Sequence, residues 1–162
     1  MSFLKTIVNN PKRSASLMAA TVALVIGFEG MRETPYLDPV GIPTVCAGHT
    51  GGVHMDRVYT PTECEELMAG DLGHAFDVVE SSVKVPIGDA TKSALASFVF
   101  NVGQSAFVNS TLLLKLNRGA GPAACDELLR WVWAKGRKLP GLVNRRAKER
   151  ELCIAGFGNE LR

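Results

Sequence analysis

The sequence predicts a mostly helical α+β protein that folds as one soluble domain with two lobes. Its 162 residues match the length of a single domain, and 46% hydrophobic with 21% charged residues is a globular composition. Apolar residues recur at helical spacing through most of the chain, whereas glycines, prolines and β-branched residues concentrate between residues 36 and 60. A chain of this length buries about 70% of its unfolded surface, so the fold requires neither a metal nor a disulfide.

The first predicted element is an apolar helix over residues 17–28. Fifteen uncharged residues, SASLMAATVALVIGF, separate Arg13 from Glu29, which is short for a spanning helix of ~20 residues but fits the ~7 to 15 of a signal-peptide core. Three cations precede the run: Lys5, Lys12 and Arg13. No convincing A-x-A cleavage site follows, so we expect residues 1–28 to be an uncleaved hydrophobic helix, either packed in the core or able to anchor in a membrane.

A small sheet and a long helix follow. In residues 29–60, turn residues interrupt short β-branched pieces such as IPTV, which predicts strands. Thr60, Pro61 and Glu63 form a capping box with proline at the first helical position, and they start a helix predicted over 61–84. Residues 85–162 then predict a helical lobe, with one helix after Asp89 and others at about 110–117, 122–135 and 142–155.

Charge is distributed unevenly along the chain. Residues 1–90 carry 6 Lys and Arg against 11 Asp and Glu, whereas residues 91–162 carry 12 against 5. The basic half would favour a polyanionic partner such as nucleic acid, anionic lipid or cell-wall polymer, although a solvated helix face explains the same charges. Its cations concentrate in Lys135, Arg137, Lys138, Arg145, Arg146 and Lys148.

Two acidic residues suggest a hydrolytic site. Glu29 ends an apolar helix, where we expect partial shielding from water to help it hold a proton, as a general acid must. Asp38 lies nine residues later in turn-rich sequence and should be solvated and ionised. Two carboxyl groups in contrasting environments are what glycoside hydrolysis requires, although two acids at this spacing are also common by chance.

The residues around this pair carry a family resemblance. The stretch FEGMRETPYLDPVGIPTVCAGHT resembles the active-site signature of the phage-type lysozymes, glycoside hydrolase family 24, and especially its P21-like signal-anchor-release endolysins. That signature is a Glu, an Asp after eight intervening residues and a Thr after five more, and Glu29, Asp38 and Thr44 match it. The stretches YTPTECEELMAGDL, SFVFNVGQSAFVNSTLLLKLN, RWVW and LVNRRAKERELC extend the resemblance over nearly everything after residue 27.

The resemblance implies a two-lobed lysozyme-like fold and an endolysin function. It implies hydrolysis of the β-1,4 bond between N-acetylmuramic acid and N-acetylglucosamine in bacterial peptidoglycan. Glu29 would be the general acid, Asp38 would position or deprotonate the attacking water, and the Thr44 hydroxyl would help to hold that water. The alternatives are a lytic transglycosylase, which needs no water-handling carboxylate, and a non-catalytic membrane- or envelope-disrupting protein that uses the apolar N-terminus and the basic helix.

Further roles follow from the same resemblance. Arg146 is the candidate that orients Glu29, with Arg145 as the alternative because the doubled arginine blurs the register. Phe100, Asn101 and Ser110 match cleft-lining positions loosely, and Phe100 could equally be a core residue.

The histidines and cysteines fit either metal ligands or structural groups. Cys46, His49 and His54 could form the zinc cluster of a peptidoglycan amidase or peptidase, but they lack a compelling fourth ligand, so we predict no metal and no cofactor. The resemblance implies instead a structural pair of His49 with Asp71. An even number of cysteines, in a hydrolase whose target lies outside the cytoplasm, favours two disulfides. The alternative is that the cysteines are buried and reduced. Of the three connectivities, Cys46 with Cys64 would tie the sheet to the long helix, and Cys125 with Cys153 would tie two C-terminal helices.

The predicted partner is bacterial peptidoglycan. We expect the protein to be a monomer and to bind no nucleic acid. The resemblance implies a periplasmic enzyme that reaches the host periplasm through its uncleaved N-terminal helix, with transient inner-membrane association. The alternative is a cytoplasmic protein that a holin releases.

Overall fold

The computed structural model describes residues 13–158, which fall into two compact units. The first unit ends at Gly73 and the second begins at His74, so the boundary lies within the long helix that the sequence predicts. The first part of the expected N-terminal helix, with Lys5 and Lys12, lies outside the described residues.

The first unit contains a helix, a two-stranded sheet and the start of a second helix. Its elements are α1 (Ala15–Glu29), β1 (Arg32–Leu37), β2 (Pro43–Cys46) and the first half of α2 (Pro61–Ser82). The predicted helical character and small sheet are confirmed, with helix ends within two residues of the expected positions.

Helix α1 begins at a side-chain cap and buries one face. The Ser14 hydroxyl accepts a hydrogen bond from the Leu17 amide at 3.1 Å, which satisfies one of the free N–H groups of the first turn. The helix ends at Gly30, whose amide donates to the Ile26 carbonyl at 2.8 Å. The buried residues are Leu17, Met18, Thr21, Val22 and Val25.

Between residues 13 and 158, no helix combines the length and the apolar character needed to cross a bilayer.

Strands β1 and β2 pair in antiparallel register around an irregularity. Arg32 lies opposite Cys46 and Tyr36 opposite Thr44, so β1 has two more residues than β2 between these pairs. The Glu33 carbonyl within this bulge accepts a hydrogen bond from the Tyr59 amide at 2.9 Å. The bulge therefore anchors the loop that returns to α2.

Helix α2 begins at the capping box that the sequence predicts. The Thr60 hydroxyl accepts from the Glu63 amide at 3.2 Å, and the Glu63 carboxylate accepts from the Thr60 amide at 2.8 Å. Beside it lies the hydrophobic cluster of this unit, built from Val45, Cys46, Tyr59 and Cys64 with Met31, Val53 and Leu67 packed against them.

The second unit is helical with a short hairpin. After the end of α2 it contains α3 (Asp89–Val102), α4 (Gln104–Val108), α5 (Thr111–Asn117), α6 (Pro122–Cys125), a 3-10 turn (Asp126–Arg130), β3 (Trp133–Ala134), β4 (Arg137–Lys138) and α7 (Pro140–Gly158). Helices α3 and α7 pack closely because glycine lies at their crossing. A Cβ atom at Gly156 would come within 2.5 Å of the Thr91 backbone nitrogen, and the Thr91 hydroxyl donates to the Cys153 carbonyl at 2.8 Å.

The helix predicted over 122–135 is wrong in its extent, because helical structure ends at Arg130. The chain is α-helical only to Cys125, and residues 133–138, which we call the second hairpin, form an antiparallel pair. Lys135 and Gly136 have φ angles of 49° and 74°, a left-handed pair that closes a two-residue hairpin turn. The expectation of a single sheet is wrong for the same reason, and the short helix α4 was not predicted.

Candidate active site

The predicted general acid is the last residue of α1. Gly30, with φ of 72°, then turns the chain into β1, so a left-handed glycine sets the direction in which the chain leaves Glu29. The Glu29 side chain is exposed. The expected shielding from water is therefore not found at Glu29, although this residue lies four positions after the buried Val25 on the same face of α1.

The second predicted acid closes the turn between β1 and β2. Asp38 follows β1 directly, and its carboxylate oxygen Oδ1 accepts hydrogen bonds from the amides of Val40 and Ile42, each at 2.9 Å. The Asp38 amide in turn donates to the Ile42 carbonyl at 3.0 Å. An Asp side chain that bonds its own turn is held in one orientation. Within residues 13–158 its other oxygen, Oδ2, receives no hydrogen bond and remains available to a water or substrate.

Thr44 is connected to Asp38 through Ile42. The Thr44 hydroxyl donates to the Ile42 carbonyl at 2.9 Å, and its side chain is buried on β2. A hydroxyl whose hydrogen is engaged in this way presents its lone pairs, so it can accept a hydrogen bond from a water. The peptide groups of Ile42 thus hold both side chains. We call β1, β2 and the turn at residues 38–42 the first hairpin.

Two links to α2 hold the loop after β2. Cys46 forms a disulfide with Cys64, and the His49 Nδ1 atom lies 2.8 Å from the Asp71 carboxylate. The other ring nitrogen of His49 lies 2.7 Å from the Gly51 carbonyl. Because Cys64 and Asp71 are about two helical turns apart, both links use one face of α2.

The same bonds account for the residues of the zinc alternative. Cys46 has its sulfur bonded to Cys64 and offers no thiolate, and His49 faces Asp71 and Gly51. Among the described residues no group of three or more His, Cys, Asp or Glu side chains could hold a metal ion.

Both candidate arginines belong to a buried ionic cluster in the second unit. Glu149 on α7 accepts from Arg145 Nε at 3.0 Å and from Arg146 through the other carboxylate oxygen. The Ser97 hydroxyl donates to Glu149 at 2.7 Å. Arg146 also donates to the Trp131 carbonyl at 3.1 Å. Buried charges with this many partners have one orientation, and removing one partner would leave the others uncompensated. A role for Arg146 in orienting Glu29 stays a prediction.

The loosely matched cleft residues have distinct positions. The side-chain amide oxygen Oδ1 of Asn101 accepts a hydrogen bond from Arg146, and Phe100 is half-buried on α3. Ser110 is the cap of α5, since its hydroxyl accepts from the Leu113 amide at 3.1 Å and donates to the Phe107 carbonyl. That double engagement gives Ser110 a structural role whether or not it also meets substrate.

Beside Ser110, cavities open on the second unit. One of about 290 Å³ is lined by Thr111, Glu127, Arg130 and Trp131. Hydrogen bonds from Lys115 and then from Arg130 lower the pKa of Glu127 below its ordinary value. The carboxylate therefore lines this cavity in its charged form.

Sequence reasoning missed the connecting role of Ile42 and the central role of Glu149. Ile42 acts through its peptide groups, so its side chain carries no signal. Glu149 had a usable signal, because it lies four residues after Arg145 and three after Arg146, the spacings at which helical side chains meet.

The sequence and the fold are similar to those of phage lysozymes and endolysins. The family model described as phage lysozyme matches residues 26–149. The SAR-endolysin of Bacteriophage PS119 is 45% identical over 131 residues, covering 80% of this chain and 78% of that protein. The SAR-endolysin of Enterobacteria phage P21 is 43% identical, covering 80% and 79%. The crystal structure of a P22 lysozyme mutant superposes with a TM-score of 0.77 at 35% identity, covering 84% of this chain and 96% of that one.

Proposed function

Since the chain belongs to the phage lysozyme family, we propose that it is a phage or prophage endolysin that hydrolyses peptidoglycan for host lysis. Family membership supports a glycosidase that acts on the cell wall. The bond that we propose is the β-1,4 linkage between N-acetylmuramic acid and N-acetylglucosamine. The observation that carries the proposal is the first hairpin, in which the peptide groups of Ile42 hold Asp38 and Thr44 together.

In the proposed reaction Glu29 is the general acid. Its carboxyl group donates a proton to the glycosidic oxygen as the bond from that oxygen to the anomeric carbon breaks. The exposed position at the end of α1 gives this carboxyl access to a polymer in solution. Glu29 leaves the step as a carboxylate and regains its proton from solvent.

Asp38 and Thr44 handle the nucleophile. A water attacks the anomeric carbon and loses one proton to the Asp38 carboxylate, while Thr44 accepts a hydrogen bond from its second proton. The turn amides hold Oδ1 of Asp38, so Oδ2 is the oxygen that we assign to this water. Because water attacks directly, with no covalent glycosyl enzyme, we expect inversion at the anomeric carbon.

The test is mass analysis of the fragments released from purified sacculi. Hydrolysis leaves N-acetylmuramic acid with a reducing end, whereas a lytic transglycosylase leaves a 1,6-anhydro end. NMR of the first product should show the α-anomer. Anhydro ends, or a β-anomer as first product, would contradict the assignment of water and Asp38.

The matched inactive control is Glu29→Gln. The amide keeps the size of the side chain but cannot supply the proton, a step typically worth ~10² to 10⁴ in rate. A folded Glu29→Gln chain that keeps more than about a tenth of wild-type activity would contradict the general-acid assignment. Lysis by such a chain would favour an envelope-disrupting protein.

We also propose that the monomeric enzyme acts in the periplasm and that residues 1–28 serve first as an uncleaved anchor. The SAR-endolysin relatives support release into the periplasm. α1 runs directly into Glu29, so a membrane-inserted α1 would hold the acid at the bilayer surface and keep the enzyme inactive. No cysteine lies within α1, so release does not involve a thiol there. Fractionation of cells that express the chain without a holin should find it in both membrane and periplasm, whereas purely cytoplasmic chain would contradict this.

A further inference from the structure

The second hairpin carries an exposed aromatic ring among uncompensated cations. The Trp133 side chain is 63% exposed, and Lys135, Arg137 and Lys138 are exposed as well. None of these four side chains forms a hydrogen bond or ion pair with another residue between 13 and 158. The mechanism above uses none of them.

The backbone of this hairpin fixes how these side chains are displayed. The left-handed conformation of Lys135 and Gly136 makes a turn that matches strand twist. The Leu139 amide closes the base of the hairpin by donating to the Val132 carbonyl at 3.0 Å. The hairpin is thus defined by backbone hydrogen bonds and turn geometry, leaving its side chains free for a ligand.

Strand pairing places the ring and one cation on the same face. Trp133 lies directly opposite Lys138, and Ala134 lies opposite Arg137. Opposed residues share a face of the pair, with Cβ atoms about 5 Å apart. One face therefore presents an indole ring beside an ammonium group, and the other face presents a guanidinium group above a small alanine.

The charge of the surrounding chain is of one sign. No acidic residue occurs between Trp131 and Lys148. A carboxylate near this hairpin is therefore attracted and meets no acidic side chain from that segment.

We propose that the second hairpin is an auxiliary binding site for peptidoglycan, with an amino-sugar ring stacked on Trp133 and a stem-peptide carboxylate paired with Lys138. The proposal rests on the proposed function for the identity of the polymer. The substrate alternates sugar rings, which have apolar faces and polar edges, with peptides that end in carboxylates. An aromatic ring beside a cation matches that alternation, and aromatic side chains provide large contact area at low cost in conformational entropy.

An anionic membrane fits this surface less well. Lys138 stands beside the ring, so burying Trp133 among acyl chains would bring an ammonium group toward the hydrocarbon. The sugar polymer needs no such burial. A second point of attachment to a repeating polymer raises the effective concentration of enzyme at the wall without any new catalytic contact.

Binding is tested with full-length chain carrying Glu29→Gln, so that the sacculi are not digested. We expect Trp133→Leu to weaken binding to purified sacculi about tenfold, the effect of losing a central aromatic anchor. Trp133→Phe keeps a ring for stacking and should stay within about twofold of the parent. Equal binding by all three chains, or equal weakening by Leu and Phe, overturns stacking on Trp133. Unchanged thermal unfolding of each chain checks the fold.

The contact between Lys138 and a stem-peptide carboxylate is tested by changing the polymer as well as the protein. Lys138→Gln should weaken binding about threefold to fivefold on intact sacculi, and should have no effect on glycan strands freed of stem peptides. Arg118→Gln is the matched control, since Arg118 is an exposed cation at the end of α5. A Lys138 effect that persists without peptides, or an equal Arg118 effect, overturns the carboxylate contact.

Vesicles with and without phosphatidylglycerol provide the competing partner. We expect Trp133→Leu to leave vesicle binding unchanged. If this chain loses vesicle binding but still binds sacculi like its parent, the hairpin is a membrane-binding site and the proposal is overturned. Failure of the proposed function is seen separately, as absence of muropeptide release by the unsubstituted chain.

Discussion

The two hairpins solve the same problem of reversing the chain in opposite ways. In the first hairpin a functional side chain makes the turn, because Asp38 accepts the amides of Val40 and Ile42. In the second hairpin the backbone makes the turn, through left-handed Lys135 and Gly136, and the side chains remain free. Structure and proposed chemistry therefore depend on one side chain in the first hairpin, whereas in the second hairpin the structure depends on the backbone and the proposed binding on the side chains.

The largest expected effect separates these two roles of Asp38. Asp38→Asn keeps an oxygen that can accept the turn amides but removes the charge, so activity should fall by ~10² to 10⁴ with little change in stability. Asp38→Ala should lose the same activity and also about 1 to 2 kcal/mol of stability, because the turn amides lose their acceptor. Turnover on sacculi and urea unfolding measure the two quantities. If Asn destabilises as much as Ala, the turn depends on the charge itself.

The next effect compares the disulfides of the two units. Replacing both Cys46 and Cys64 with Ala should cost about 3 kcal/mol of stability, and replacing Cys125 and Cys153 about 4 kcal/mol, because the second pair closes a longer loop. The first double variant should also lose activity at temperatures where it is folded, since Cys46 ends the strand that carries Thr44. Equal activity of both variants would show that the disulfide does not position the first hairpin.

A smaller effect contrasts the two turns by their glycines. Gly41 and Gly136 have φ angles of 82° and 74°, so alanine at either should cost about 1 kcal/mol. We expect Gly41→Ala to lower turnover and Gly136→Ala to lower binding to sacculi. Asn tolerates this conformation better than Ala, so Gly136→Asn should recover part of the loss. Loss of turnover in Gly136→Ala greater than in Gly41→Ala would contradict the division of roles.

The smallest expected effect is a loss of stability at low pH, to which one glutamate in each unit contributes. A hydrogen bond from the Thr60 amide and then one from Arg57 lower the pKa of Glu63 below its ordinary value of 4.5, and Lys115 does the same for Glu127. A lowered folded-state pKa means that the unfolded chain takes up protons first as pH falls. The stability from both groups is therefore present above pH 4.5 and lost as pH falls through the lowered values. Thermal unfolding from pH 6 to 2 should show this loss, with a smaller loss in Glu63→Gln.

Sequence reasoning succeeded where one local signal decides the structure. The box of Thr60, Pro61 and Glu63 starts α2 at the predicted residue, and the apolar run over 17–28 predicts α1. It failed over 122–135, where apolar spacing suggested a helix but the conformation of Lys135 and Gly136 decides the turn. A left-handed lysine leaves no trace in periodicity, and only the glycine after it hinted at a hairpin.

The candidate site shows the same limit. The spacing of Glu29, Asp38 and Thr44 identifies them through the family resemblance, which is a property of sequence. That Glu29 is exposed reflects its place at the last position of α1, where the buried stripe that ends at Val25 no longer covers it, and the apolar composition of the helix does not specify this. The arginines were predicted to lie near the acid, whereas the bonds of Ser97 to Arg145 and Glu149 join residues 48 and 52 positions apart and appear only after folding.

The shared peptide groups at Ile42 have a consequence for how the sequence can drift. Any amino acid at position 42 supplies the C=O that accepts the Thr44 hydroxyl, and any amino acid except proline supplies the N–H that donates to Asp38. The Ile42 side chain is 45% exposed and takes no part in these bonds. We therefore expect position 42 to accept any residue except proline without loss of the link between Asp38 and Thr44.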